Sequence, residues 1–140
     1  MEFLKVWEAA AKHEALLQFV RNSSGIFCYG AGEYGRAVVS FLQENKIIVQ
    51  GVIVSRREPG IQEIHGLPLY EPSEIKDKLE HTACGIILSL SEKYQLTVRE
   101  TLRQYGVLQN SRIYVMTDAE MFYILNEVFQ RHSGNVLLKA

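Results

Sequence analysis

Three glycines in the run Gly30-Ala31-Gly32-Glu33-Tyr34-Gly35 stand at the spacing G-x-G-x-x-G. The chemistry this spacing serves is non-covalent capture of an anion. The first glycine makes a tight turn, the second lets backbone approach a phosphate, and the third lets a helix press on the preceding strand. That assignment requires a strand before the glycines and a helix behind them. Gly25-Ile26-Phe27-Cys28-Tyr29 is a short apolar run suited to a buried strand. Behind the glycines, Tyr34, Ala37, Val38, Phe41 and Leu42 recur at helical spacing on one face. The first amides of that helix, with the positive end of its dipole, then face whatever rests on the turn. Candidate ligand-binding residues are accordingly Gly30, Ala31, Gly32, Glu33, Tyr34 and Gly35. The alternative is a strand-to-helix turn whose glycines serve packing alone.

A dinucleotide site presents an acidic side chain about 20 residues beyond the glycines, where it accepts hydrogen bonds from a ribose. Ser55 stands at that place here, followed by Arg56 and Arg57. A phosphate near the second strand thereby gains two donors, which admits NADP or the pyrophosphate or uracil end of a sugar nucleotide. A solvated loop pair is the other reading of the two arginines. Ser89 and Ser91, at the end of a later strand, are placed to meet a ligand hydroxyl, and Ser91 also suits the N-cap of the next helix. Catalytic patterns are absent from the sequence: it has no Tyr-x-x-x-Lys pair and no nucleophile with its base. Tyr94 falls on what reads as the core face of its helix. His13, His65, His81 and His132 lack metal-ligand spacing. The chain by itself is therefore expected to bind rather than react, and to hold no metal.

The elements that position these residues read in order. Residues 2–21 form a helix with Phe3, Val6, Trp7, Ala10, Leu17 and Val20 along one side. Asn22-Ser23-Ser24-Gly25 breaks it before the first strand. Asn45-Lys46 ends the glycine-turn helix, and Ile47 to Ser55 is β-branched enough for a second strand. Arg56 to Gly66 reads as a surface loop. Leu67 to Tyr70 reads as a short edge strand, which tolerates Pro68. Pro72 opens a helix carrying Ile75 and Leu79, and Cys84 to Ser89 is the fourth strand. A helix bearing Tyr94, Val98, Leu102 and Tyr105 stops at Gly106, and Arg112 to Met116 is the last strand. Thr117 and Glu120 form a capping box for a closing helix that ends at His132-Ser133-Gly134. Strands alternating with helices predict an α/β fold: a doubly wound parallel sheet of about five strands in the order 3-2-1-4-5. One domain over residues 1–140 is expected, with an amino-terminal helix at 1–22, a core at 25–116 and a closing helix at 117–132.

The chain has 140 residues, with 15 Lys+Arg against 16 Asp+Glu. Charges this evenly balanced provide no field for a nucleic-acid backbone or an anionic membrane, so neither is an expected partner. Its apolar runs are too short to span a bilayer. Cys28 and Cys84 lie in strand-like runs of a chain without a secretion signal, which points to a reducing, cytoplasmic setting.

Taken together, Gly30-Ala31-Gly32-Glu33-Tyr34-Gly35-Arg36, Gly51-Val52-Ile53-Val54, Gly66-Leu67-Pro68-Leu69-Tyr70 with Glu74-Ile75, and Ile86-Ile87-Leu88-Ser89-Leu90-Ser91 resemble a known family. It is that of the Rossmann-like nucleotide-binding domains of bacterial surface-polysaccharide enzymes. Similar modules stand at the amino end of membrane-linked nucleotide-sugar dehydratases and of sugar O- and N-acyltransferases, and beside some glycosyltransferases. The likeness covers roughly residues 25–116. By resemblance, Gly30, Ala31, Gly32 and Gly35 would hold a UDP-sugar, as in the acyltransferase modules. In the dehydratases the reaction takes place in another domain, which implies binding without catalysis here. The family often carries acidic residues where this chain has Ser55-Arg56-Arg57, so its usual ribose contact is missing. Three readings stay open: a nucleotide or nucleotide-sugar module, an NAD(P)-binding part of an oxidoreductase or nucleotide-sugar dehydratase or epimerase, and an interaction domain without a ligand. A homodimer, or docking on a transferase or dehydratase domain through the amino-terminal helix, is the expected assembly.

Overall fold

The computed structural model describes residues 13–79, 84–109 and 111–139. Residues 13–21 are helical (α1). They are followed by β1 (Ile26–Tyr29), α2 (Glu33–Glu44), β2 (Val49–Ile53), β3 (Glu63–Ile64), β4 (Leu67–Tyr70) and α3 (Pro72–Leu79). The chain continues with β5 (Cys84–Leu88), α4 (Glu92–Gln104), a 3-10 turn at Val107–Gln109, β6 (Ser111–Val115) and α5 (Asp118–Lys139).

The fold is α/β, with one six-stranded, mostly parallel sheet in the order β3-β4-β2-β1-β5-β6. β1 lies between β2 and β5, parallel to both, and every residue in it is buried. Side chains alternate across the sheet, so Cys28, Val52 and Ile87 pack with Leu16, Val38, Leu42, Met121 and Ile124 on one face. Phe27, Tyr29, Ile53, Ile86 and Leu88 pack with Ile75, Leu79, Val98 and Leu102 on the other. Burial on both faces is why these strands read as continuous apolar runs.

The sheet departs from the expected five strands in the order 3-2-1-4-5 by a sixth strand. Glu63–Ile64 lies in the stretch read as a surface loop and pairs antiparallel with β4. A two-residue turn makes this possible, because His65 (φ 51°) and Gly66 (φ 79°) are both left-handed. That backbone matches the twist of a tight hairpin. The second strand is shorter than its β-branched run, since Ile47 is taken up in ending α2. Its N–H reaches the Leu42 carbonyl at 2.9 Å while Lys46, at φ 62°, bonds Gln43 at 3.0 Å. This pairing of 6→1 and 5→2 bonds closes the helix with a lysine where glycine is usual. Ile48 is left 83% exposed.

Three helix readings also change. Residues 1–12, with Phe3, Val6, Trp7 and Ala10, lie outside the described residues, and in α1 the buried side chains are His13, Leu16 and Phe19 rather than Leu17 and Val20. The closing helix runs through Ser133-Gly134 to Lys139. An interior glycine costs about 1 kcal/mol relative to alanine but removes no hydrogen bond, so it does not end a helix alone. On α4 the buried residues are Gln95, Val98 and Leu102, which leaves Tyr94 and Tyr105 outside. Among the described residues no helix is long and apolar enough to cross a membrane.

Candidate functional site

The carboxyl ends of β1, β2 and β5 surround a cleft of about 370 Å³. At the first of these ends the chain turns at Gly30, whose N–H continues the sheet by bonding the Ile53 carbonyl at 2.9 Å. Gly30 has φ 127°, and a Cβ there would stand 2.7 Å from the Ser89 carbonyl oxygen. Gly35 is needed more acutely, because its Cβ would lie 2.1 Å from the Gly30 carbonyl oxygen, closer than any atom pair can pack. Two of the three glycines are thus accounted for by the turn and by the seating of α2 on it.

Gly32 is different. It is the N-cap of α2, with φ −78° and ψ −165°, values open to any residue, and a Cβ built on it meets nothing within 4 Å. Among the described residues no side chain caps this helix, and its first backbone bond runs from Arg36 N–H to the Gly32 carbonyl at 2.9 Å. The amides of the first turn are therefore available to an acceptor from outside, at the positive end of the helix dipole. Arg36 ties the turn from behind by donating Nε–H to the Ala31 carbonyl at 3.1 Å.

The other walls come from strand ends. Tyr29 closes β1 with its ring buried and its hydroxyl 2.6 Å from Ser55 Oγ, past the end of β2. Burial raises the tyrosine pKa, and the bond to Ser55 offsets part of that rise. Ser89 follows β5 and donates its hydroxyl to the Tyr29 carbonyl at 3.1 Å, so it buttresses the turn. Ser91 precedes α4 but makes no side-chain cap. Asp118 does the capping instead, accepting from Glu92 N–H at 2.8 Å, and the Ser91 hydroxyl is left on the cleft.

Of the residues expected at the site, Gly30, Ala31, Gly32, Glu33, Tyr34, Gly35, Ser55, Ser89 and Ser91 line this one cleft. The two arginines part company. Arg56 lines an adjoining pocket of about 190 Å³ that shares Ala31, Gly32 and Val54 with the cleft. Arg57 turns away, donating to the Leu69 carbonyl at 2.7 Å and pairing with Glu74 at 2.7 Å. It holds the loop against the start of α3, where Glu74 also accepts from Glu71 N–H at 3.0 Å. The guanidinium holds the Glu74 carboxyl below the usual range, and Arg57 is itself raised, first by the same bond. Arg57 therefore acts as a structural clasp, and it lines neither the cleft nor the adjoining pocket.

Residues that sequence reasoning did not assign to the site are Tyr29, Arg36, Val54, Leu90 and Tyr94. Tyr94, 53% exposed, sits on the cleft and not in the core. Helical periodicity misplaced it, whereas its position in the first turn of α4, three residues past the end of the β5–α4 loop, was the available signal. Among the described residues, no cluster of His, Cys, Asp or Glu is placed to hold a metal ion. Neither protein-family models nor curated protein sequences give a match to this chain.

Proposed function

We propose that this chain is a Rossmann-like, non-catalytic binding domain for a nucleotide or nucleotide-sugar of the UDP-sugar kind, serving surface-glycan assembly as a module or subunit. Gly32 carries the reading. It is the one glycine of the motif with no role in the chain's own packing, and it lies where uncapped helix amides meet the cleft. A glycine there leaves room for a phosphate to reach those amides. Hydroxyls from Ser55, Ser91 and the tyrosines suit the polar part of such a ligand. The glycan setting rests on the resemblance alone. Arg56, beside the glycine turn, favours a second reading, an NADP-binding part of an oxidoreductase.

A thermal-shift panel of UDP-, CDP- and dTDP-sugars, NAD and NADP tests both. The bound ligand at 100 times its dissociation constant should stabilise the fold by about 2.7 kcal/mol. Gly32→Val should abolish that shift with the far-UV spectrum preserved. A panel that leaves the melting curve unmoved defeats the proposal and favours an interaction domain. Mass spectrometry of the incubated small molecules checks for chemistry; a product lost in Gly32→Val would bring the oxidoreductase reading forward.

A further inference from the structure

The two cavities beside the glycine turn share Ala31, Gly32 and Val54 as a common wall and differ in charge. Among the described residues the larger is lined by no lysine or arginine. Its one acid is Glu33, and its remaining polar side chains are hydroxyls, from serines and from Tyr29, Tyr34 and Tyr94. The smaller holds Arg36 and Arg56 against one carboxylate, Glu58, over an apolar floor that includes Ile61, Ile64 and Leu69. Neither guanidinium forms an ion pair among the described residues, and Arg36 commits only Nε. The polarity thus changes sign across a wall three residues wide, with the free amides of α2 on it.

We infer, resting on the nucleotide reading above, that the two cavities hold opposite ends of one ligand. The phosphate-bearing end lies beside Arg36 and Arg56, and a hydroxyl-rich ring without negative charge lies in the larger cleft. Tyrosines supply apolar surface and hydroxyls together, which matches a neutral sugar ring. Among the described residues Glu33 is the only charged one that lines the cleft, so a uronic acid would bring a carboxylate beside it with no lining cation to neutralise it.

The matched pair UDP-glucose and UDP-glucuronate differs at a single carbon, as a hydroxymethyl or a carboxylate. Titration calorimetry of the full chain at low salt should show UDP-glucuronate bound about tenfold more weakly, the size of one like-charge contact in a partly solvated site. Glu33→Gln should close that gap. Arg56→Gln should weaken both ligands by a common factor and leave the ratio intact. Equal affinities, a gap that survives Glu33→Gln, or an Arg56→Gln variant with unchanged affinity would each overturn the inference. UDP binding as tightly as UDP-glucose would overturn it too while sparing the nucleotide reading. Failure of every nucleotide to bind would remove both.

Discussion

Alanine at Gly35 and alanine at Gly32 should separate the motif's structural glycine from the one that lies open on the cleft. At Gly35 the added methyl carbon would stand 2.1 Å from the Gly30 carbonyl oxygen and 2.6 Å from its carbon. Both are backbone atoms of a turn pinned by the Gly30–Ile53 bond, so no side chain can rotate aside. Relief requires α2 to lift by about 1 Å, which loosens Ala37, Val38 and Leu42 from the sheet. Overpacking costs about 1–3 kcal/mol and occasionally more, and a clash between backbones belongs at the upper end. At Gly32 the same methyl meets open space at an ordinary φ, so only local effects remain. Losing glycine at an N-cap costs about 0.5–1 kcal/mol, and a less flexible unfolded chain returns a similar amount. Urea denaturation should therefore place Gly35→Ala about 3 kcal/mol below the parent and Gly32→Ala within about 1 kcal/mol of it. Equal losses in the two variants would refute the reasoning, since Gly32 would then have an internal role that its geometry denies.

Other outcomes follow from individual contacts. Arg57→Ala should leave ligand affinity unchanged where Arg56→Ala lowers it, by about 1–3 kcal/mol if Arg56 bonds a phosphate; calorimetry on the two variants reads the contrast. The lowered carboxyl of Glu74 contributes stability above the ordinary carboxylate pKa, and that contribution disappears as pH falls through the folded-state value. Glu74→Gln should flatten the acid limb of a stability–pH curve measured from pH 6 downward. Burial pushes the Cys28 thiol up to about 12, so at pH 8 iodoacetamide should reach it only through unfolding. Its linkage lowers stability as pH rises past the unfolded thiol's value near ~8.5, because the unfolded chain then releases a proton that the folded one keeps. Gly66→Val, at φ 79° in the β3–β4 turn, should cost about 1–2 kcal/mol although its Cβ has room, with melting temperature as the readout.

Strand and helix identity was legible along most of the chain because both follow from local rules. Apolar runs buried on two faces, the 3.6-residue period of α2, and the stop signals at Asn45-Lys46 and Gly106 each act over a few residues. The glycine turn was legible for the same reason: tight turn, close approach and helix seating are demands made within six positions. Thr117 likewise caps α5 as expected, accepting from Glu120 N–H at 3.1 Å. The other half of that capping box is replaced by a contact periodicity cannot show, as the Glu120 carboxylate accepts from the Tyr114 hydroxyl at 2.7 Å. Where two segments compete for one residue, the sequence was silent. Arg56 and Arg57 are indistinguishable as letters, and only the approach of β4 and α3 brings a carbonyl and Glu74 to one of them. Ser91 looked like a cap, yet its side chain caps nothing, and Asp118, distant in sequence, accepts from the first amide of α4, that of Glu92. Tyr94 fits a core stripe by spacing, yet Gln95 fills the inward position by donating to the Leu90 and Met116 carbonyls at 3.0 and 2.6 Å. A side chain's free or committed state depends on which partner arrives first in space, and tertiary packing alone decides that.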